Sequence, residues 1–129
     1  MDEQLKQHGA FSWSELMTSD IEAAKAFYSR LFGWTLDDMQ MAEMNYTVIK
    51  AGDREVGGMM ATPPEAQGAP PMWGTYVTVD DVDSVAGTAT ELGATLVVEP
   101  RDIPGVGRFC VIRDPQGAFI SAISYSEQA

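Results

Sequence analysis

The chain has 129 residues, an apolar content of 45% and a formal net charge of -11. This length suits a single domain, and no stretch is long and apolar enough to cross a bilayer. The acidic charge repels phosphate backbones and anionic lipid, so neither nucleic acid nor a membrane is expected as a partner.

The chain begins with a polar segment, Met1 to Gly9, of mixed charge. It lacks the basic stretch and apolar run of a secretory signal, which favours a cytoplasmic location. Its histidine, His8, is the only one in the sequence, and the only cysteine is Cys110 in a strand-like run. No internal disulfide is therefore expected, and Cys110 is interpreted as a small buried thiol. With one histidine in the N-terminal segment, the sequence gives little support for Ser-His-Asp or Cys-His catalysis.

The first half of the chain, about 10–61, predicts a β-α-β-β-β module. After a first strand at 11–18, Asp20 suits the N-cap of a helix because its carboxylate can accept a backbone N–H, and Gly33 suits its end. Short strand-like runs follow at 34–36, 46–50 and 56–61.

A connector at 62–72 follows this module, because its four prolines lack the N–H that a sheet needs. The pattern then restarts in a second module, about 73–126, with Asp80 or Asp81 as helix cap and Gly93 as helix end. Its strands are predicted at 73–79, 95–98, 109–113 and 118–125. Asp114 to Gly117, between the last two, predicts a tight turn with positive φ at its glycine.

The second module repeats the first at a separation of 60 residues. The matched positions are Trp13/Trp73, Thr18/Thr78, Asp20/Asp80, Gly33/Gly93, Thr35/Thr95 and Leu36/Leu96. A separation of 61 instead pairs Asp20 with Asp81 and Leu31 with Leu92, so module-two positions carry an alternative of one residue. One half alone would leave a sheet face bare, and a single domain over 1–129 is expected.

Two paired openings, WSELMTSDIEAAKAFYSRLFGW and YVTVDDVDSVAGTATELGA, and the closing PGVGRFCVIRDPQGAFISAI carry a family likeness. They resemble the vicinal oxygen chelate superfamily of glyoxalase, bleomycin-resistance and extradiol-dioxygenase proteins, close to its hydroxylase-like or antigen-type single-domain members. The resemblance implies an α+β fold, in which two β-α-β-β-β modules form a cup-shaped, mostly antiparallel sheet with helices on the outer face. It also implies a homodimer.

The resemblance further implies metal ligands on the concave sheet face, typically His, Gln or Glu. The corresponding positions hold Trp13, Gly74 (Trp73 in the other register), Ser121, and Met59 or Met60. Indole, glycine and thioether groups do not suit a divalent cation that prefers oxygen or imidazole donors, and a serine hydroxyl is a weak ligand. The prediction is therefore that the family's metal site is missing and that no cofactor is bound.

Strand alternation predicts which side chains share the concave face. These are Trp13, Glu15 and Met17, then Gly74, Tyr76 and Thr78, then Phe119, Ser121 and Ile123. Glu15 is the candidate catalytic residue, since a carboxylate on an apolar face must be protonated, paired or hydrated. The alternative is a structural salt bridge from Glu15 to Arg108 or another cation. The candidate ligand-binding residues are Trp13, Tyr46, Met59, Trp73, Gly74, Tyr76, Arg108, Phe119 and Ser121.

The favoured function is the binding of a small apolar or aromatic molecule without the family's metal site. The alternative is a lyase, isomerase or dioxygenase-type enzyme of the same superfamily, using Glu15 or metal ligands of another kind. A third reading is an oligomerisation or interaction module. The sequence alone does not decide between an enzyme and a binding protein.

Overall fold

The computed structural model describes residues 3–41, 44–62 and 68–126. Within these ranges a short 3-10 helix, Glu3–Lys6, precedes two α-helices and eight strands. The first module contains β1 (Phe11–Thr18), α1 (Ile21–Phe32), β2 (Thr35–Met41), β3 (Met44–Ala51) and β4 (Arg54–Ala61). The second contains β5 (Met72–Thr78), α2 (Val82–Glu91), β6 (Thr95–Ile103), β7 (Gly107–Arg113) and β8 (Phe119–Tyr125). The predicted α+β class and the repeated β-α-β-β-β order are confirmed.

Both modules use the same strand arrangement. In the first the order is β2-β3-β4-β1, and in the second it is β6-β7-β8-β5. The outer three strands of each module run antiparallel, whereas β1 pairs in parallel with β4 and β5 in parallel with β8. A helical crossover between the module's first strand and the rest of its sheet makes this parallel pair possible.

The chain divides into two compact units, one formed by Trp13–Gly74 and the other by Met1–Ser12 with Thr75–Ala129. The N-terminal segment joins the second unit because Thr78 exchanges backbone hydrogen bonds with Gly9 and Ala10, at 2.7 and 2.8 Å. The predicted connector at 62–72 lies partly outside the described residues, at 63–67. No described helix has the length and apolar character needed to span a membrane.

Aspartates begin both helices, as predicted. The Asp20 carboxylate accepts the backbone N–H of Ala23 at 3.1 Å, and Asp81 accepts that of Ser84 at 3.2 Å. The structure therefore selects Asp81 over Asp80 as the second cap. Gly33 ends α1 with φ of 73°, a left-handed conformation that costs glycine little.

The turn at Asp114 to Gly117 also forms as predicted. The Asp114 carboxylate accepts backbone N–H groups of Gln116 and Ala118, at 2.9 and 3.0 Å, and these bonds lower the pKa of Asp114. Gly117 has a φ of 99°. The turn joins β7 to β8 and sets their antiparallel register.

Each helix covers one face of its own module's sheet. The buried residues between α1 and its sheet are Leu16, Ile49 and Met59, and those of α2 and its sheet are Val79, Val82, Ala86, Cys110, Ile112 and Ala122. The strand residues Leu16, Val79 and Ala122 therefore face the helices. Residues that alternate with them, Glu15 among these, lie on the opposite sheet faces.

Cys110 is a free, fully buried thiol, which confirms its interpretation as a small apolar residue. Burial raises the pKa of the Cys110 thiol, and the reactive thiolate is correspondingly disfavoured at neutral pH. We therefore expect 5,5'-dithiobis(2-nitrobenzoate) to modify native Cys110 only as fast as the protein unfolds. In guanidinium chloride one thiol per chain should react at once; equally fast reaction of the native protein would contradict this.

Candidate functional site

A chain of two hydrogen bonds joins Trp13, Tyr46 and Glu15 in the first module. The Trp13 indole N–H donates to the Tyr46 hydroxyl at 2.9 Å, and that hydroxyl donates to Oε2 of Glu15 at 2.6 Å. The second distance is typical of a hydrogen bond from a hydroxyl to a charged carboxylate. All three are residues predicted for the site from the sequence, and the structure brings them together.

Gly58 makes this contact possible. Tyr46 is on β3 and Glu15 on β1, and β4 lies between those strands. Glu15 and Val48 are both paired with Gly58 of β4, so the Tyr46 ring crosses β4 above a position without a side chain. A Cβ built on Gly58 would overlap the Tyr46 hydroxyl and the ring carbons beside it.

Gly58 is not among the residues predicted for the site, although the sequence contains a signal for it. Gly57 and Gly58 interrupt the strand-like run from Val56 to Ala61. A glycine inside a strand often marks a close approach of another group. The partner could not be identified before the strand register was known.

Two methionines extend this surface. Met17 shares the Glu15 side of β1 and is paired with Met60 of β4, and both side chains are half-buried. We call Trp13, Glu15, Met17, Tyr46 and Met60 the β1 face. It combines a carboxylate and a phenol with aromatic and thioether surface, a composition that suits a flat organic molecule carrying one hydrogen-bond donor.

Met59 and Trp73 do not belong to the β1 face. Met59 has no exposed surface and packs in the core under α1, because it alternates with Gly58 and Met60 along β4. Trp73 donates its indole N–H to the Tyr28 hydroxyl of α1 at 3.2 Å. Its ring contacts Tyr28 and Trp34, with ring centroids 5.4 and 6.1 Å away. Both residues therefore serve packing on the helix side.

Gly74 follows Trp73 on β5, and strand alternation turns it to the opposite side. A Cβ at Gly74 would lie 3.8 Å from the Glu15 backbone carbonyl, an ordinary contact distance. With Asp81 as the second cap, Gly74 rather than Trp73 is the counterpart of Trp13, seven residues before its helix cap. It offers no side chain to a ligand.

The second module holds Tyr76, Ser121 and Phe119 on one face. Tyr76 and Ser121 are paired between β5 and β8, and both are buried, at 8% and 9% exposure. The Tyr76 ring lies 6.4 Å from that of Phe109, whereas Phe119 is half exposed. These side chains form a predominantly apolar surface on which the Ser121 and Tyr76 hydroxyls are the polar groups.

Arg108 lies on the other side of this sheet. Its guanidinium makes two bonds to the Asp83 carboxylate of α2, at 2.9 and 3.0 Å, and one to Asp102 at 3.1 Å. These bonds raise the pKa of Arg108 and lower that of Asp83. Arg108 is thus a surface ion-pair residue that ties α2 to β7, and its carboxylate partners are Asp83 and Asp102 rather than Glu15.

The residues at the family's ligand positions do not fit a divalent cation. Trp13 uses its N–H to donate to Tyr46, Gly74 has no donor atom, and Ser121 is buried in its own module. In the part of the chain that the structure describes, no group of three or more His, Cys, Asp and Glu side chains could hold a metal ion. Glu15 alone is too few ligands for the usual six-coordinate oxygen site.

Comparison with known proteins matches residues 10–121 to the family described as Glyoxalase/Bleomycin resistance protein/Dioxygenase superfamily. "Putative glyoxylase CFP32" of Mycobacterium bovis is 43% identical over 125 residues, which are 96% of this chain and 47% of that protein. "Anthracycline biosynthesis protein DnrV" of Streptomyces peucetius is 29% identical over 123 residues, 85% of this chain and 45% of the relative. The chain spans about half the length of the curated relatives it matches.

Solved structures show the same fold. Methylmalonyl-CoA epimerase from Mycobacterium tuberculosis superposes with a TM-score of 0.67 at 16% identity, covering 98% of this chain and 93% of the epimerase. An extradiol ring-cleaving dioxygenase from B.fuscum has a TM-score of 0.66 at 15% identity, covering 97% of this chain and 35% of the enzyme. At these identities the likeness concerns the fold alone.

Proposed function

The chain belongs to the Glyoxalase/Bleomycin resistance protein/Dioxygenase superfamily, and we propose that its β1 face binds a small apolar or aromatic molecule without a metal ion. The observation that carries this proposal is the Trp13–Tyr46–Glu15 hydrogen-bond chain. It holds a carboxylate in place on a face that is otherwise aromatic and thioether. The donor chemistry at the family's ligand positions supports the metal-free part.

The ligand class follows from the groups on the β1 face. A carboxylate accepts hydrogen bonds at about four lone-pair sites, so Glu15 can accept a hydroxyl or amine of a ligand in addition to the Tyr46 bond. Trp13 offers an aromatic surface, and Met17 and Met60 adapt to irregular shapes. The matching molecule is flat, neutral or cationic, and carries at least one donor.

A titration with 2-naphthol, a neutral flat aromatic with one hydroxyl donor, tests this. Nitrogen-15 NMR should show a shift of the Trp13 indole N–H, assigned with Trp13→Phe. Glu15→Gln is expected to weaken binding roughly 10- to 100-fold, because a hydrogen bond to a charged group contributes about 1.5–3 kcal/mol. The matched control is Glu55→Gln, the same change at an exposed position of β4, which should leave affinity unchanged.

Three results would contradict the proposal. The first is a shift pattern that spares Trp13, and the second is an affinity that Glu15→Gln and Glu55→Gln lower equally. The third is a stoichiometric divalent ion in untreated purified protein, measured by elemental analysis, whose removal abolishes 2-naphthol binding.

A second candidate function is a lyase, isomerase or dioxygenase-type enzyme of the superfamily. The 2.6 Å bond between Tyr46 and Glu15 favours it, because the pair places a proton donor beside a carboxylate base. Glu15 would abstract a proton next to a carbonyl, and Tyr46 would hold the carboxylate in place. Deuterium uptake from heavy water into 2-tetralone, a flat ketone with acidic hydrogens, should then accelerate with wild type and Glu55→Gln but not with Glu15→Gln.

A homodimer and a cytoplasmic location complete the proposal. A small secreted domain is usually stabilised by disulfides, whereas this chain has one cysteine, and it is buried and free. The net charge of -11 supports the expectation that nucleic acid and anionic membranes are not partners.

A further inference from the structure

Helix α1 carries an open depression on its outer surface. The depression has a volume of about 440 Å³ and is lined by Ala26, Phe27, Arg30 and Leu31. Phe27 and Leu31 keep 59% and 56% of their surface exposed. Sites for small molecules commonly have volumes of roughly 300–1,000 Å³, so this one has room for a ligand of one or two rings. We call these four residues the α1 face.

Arg30 is a cation without a carboxylate partner in the described part of the chain. Four other cations lie within 3.8 Å of an Asp or Glu oxygen: Lys6, Lys25, Lys50 and Arg108. Glu22, the acidic residue of α1, pairs with Lys25 at 3.3 Å. In a chain with 19 acidic and 8 basic residues, an arginine beside exposed apolar side chains is therefore left with its N–H donors available.

Helix α2 has the same place in the second module, and its surface is different. The helix caps, Asp20 and Asp81, set a separation of 61 residues between the two helices. The counterparts of the α1 face are Gly87, Thr88, Glu91 and Leu92. Threonine thus stands in place of the phenylalanine, and glutamate in place of the arginine. The fold therefore requires neither the ring nor the positive charge of the α1 face.

Aromatic packing holds one wall of the depression in place. The Phe27 ring contacts Tyr28 edge to face, with ring centroids 4.9 Å apart. Tyr28 in turn stacks on Trp34 at 5.8 Å and accepts the indole N–H of Trp73 at 3.2 Å. A ring that is already fixed loses little conformational entropy when a ligand packs on it.

We propose that the α1 face binds a small aryl or acyl carboxylate. The carboxylate would contact Arg30, because a guanidinium matches it with two parallel N–H bonds. The apolar part of the ligand would pack against Phe27 and Leu31. This ligand class differs from that of the β1 face, where Glu15 accepts hydrogen bonds and repels a second carboxylate.

Two electrostatic effects oppose an anion at this place. The chain has a net charge of -11, and Arg30 lies in the last turn of α1, at the negative end of the helix dipole. Salt at about 0.1 M screens charges that lie more than about 10 Å away, whereas the contact with Arg30 is direct. We therefore expect binding with a weak, roughly millimolar dissociation constant, as suits a small ligand on an open surface.

A nitrogen-15 NMR titration with 2-naphthoate at neutral pH tests the site. This probe has the ring system of 2-naphthol, with a charged acceptor in place of the hydroxyl donor. Backbone signals of residues 26–31 should shift, the Trp13 indole signal should not, and excess 2-naphthol should not displace 2-naphthoate. Failure of either probe would leave the site of the other intact, so this inference and the proposed function can fail separately.

Variants separate the charge from the apolar contact. Arg30→Gln should weaken 2-naphthoate binding roughly three- to tenfold, and Arg30→Lys should keep part of the affinity because it keeps the charge without the planar fork. The matched control is Arg101→Gln, at an exposed position of β6, which should have no effect. Leu31→Ala should weaken binding about two- to fourfold. Its control is Leu92→Ala, at the 73% exposed counterpart in the second module.

Thermal unfolding establishes that each variant is folded. Four results would overturn the inference. They are a shift of the Trp13 indole in place of the α1 signals, displacement of 2-naphthoate by 2-naphthol, equal effects of Arg30→Gln and Arg101→Gln or of the two leucine variants, and no detectable binding at about 10 mM.

Discussion

Gly58→Ala is expected to destabilise the protein by about 3–5 kcal/mol and to abolish binding at the β1 face. The added methyl group would occupy the space of the Tyr46 ring. Overpacking of this kind costs about 1–3 kcal/mol, and displacement of Tyr46 also breaks its hydrogen bonds to Trp13 and Glu15, at about 1 kcal/mol each. Urea unfolding measures the stability, and the Trp13 indole signal reports the lost bond.

Gly87→Ala is the matched control for that substitution. Gly87 is an exposed position of α2, and a Cβ there has no atom within 4 Å. Alanine is favoured over glycine in a helix, so this change should stabilise the protein by about 0.5–1 kcal/mol. Equal changes in stability for the two substitutions, or an unchanged Trp13 indole signal in Gly58→Ala, would contradict this prediction. Either result would show that the position of Tyr46 does not require a glycine at residue 58.

Met59→Ala is expected to cost about 2–5 kcal/mol, because Met59 is completely buried and truncation leaves a cavity under α1. Its neighbour Met60 is half-buried on the β1 face, and Met60→Ala should cost only about 1 kcal/mol. The effects on ligand affinity should have the opposite order. 2-Naphthol is expected to bind Met60→Ala more weakly than wild type, and to bind Met59→Leu with wild-type affinity.

Chemical denaturation and the NMR titration together measure both effects. Met59→Leu preserves side-chain volume and should recover most of the stability that Met59→Ala loses. If Met60→Ala proved the more destabilising variant, or Met59→Leu alone lost ligand binding, the assignment of the two methionines to opposite faces would be wrong.

Much of the fold could be predicted because local signals agreed with one another. Asp20 and Gly33 delimit α1 through capping chemistry that involves only a few neighbouring residues. The two helix caps, Asp20 and Asp81, are 61 residues apart. Trp13 and Trp73 match at a separation of 60 instead, and their side chains lie on opposite faces of their strands. A one-residue difference reverses a side chain's direction, and periodicity alone does not resolve it.

The end of β2 could not be predicted either, because it depends on contacts with residues that are distant in sequence. The predicted run ends at Leu36, before Asp37 and Asp38, whereas β2 continues to Met41. Asp37 pairs with Lys50 at 2.8 Å, and Asp38 with Lys25 at 2.9 Å and with the Thr47 hydroxyl at 2.8 Å. Charged residues suit an edge strand, and β2 is the outer strand of its module.

The shared location of Trp13 and Glu15 could be predicted from the sequence, whereas the hydrogen bonds that join them to Tyr46 could not. Alternation along β1 placed Trp13 and Glu15 on one face, but the partner of Glu15 depends on the pairing of strands distant in sequence. That pairing brings Tyr46 to Glu15 and takes Arg108 to Asp83 instead. Which groups contact a carboxylate is decided by tertiary structure and not by strand periodicity.

The Tyr46 crossing over β4 also affects how the molecule folds. Tyr46 is separated by 31 positions from Glu15 and by 33 from Trp13, and it reaches them only after β1 has docked in parallel beside β4. Contacts between such remote segments are slow to form, because closing the intervening loop costs entropy before any pairing compensates for it. A first module that contains only the β2-β3-β4 meander therefore has no β1 face, and the Trp13 indole reports the docking of β1.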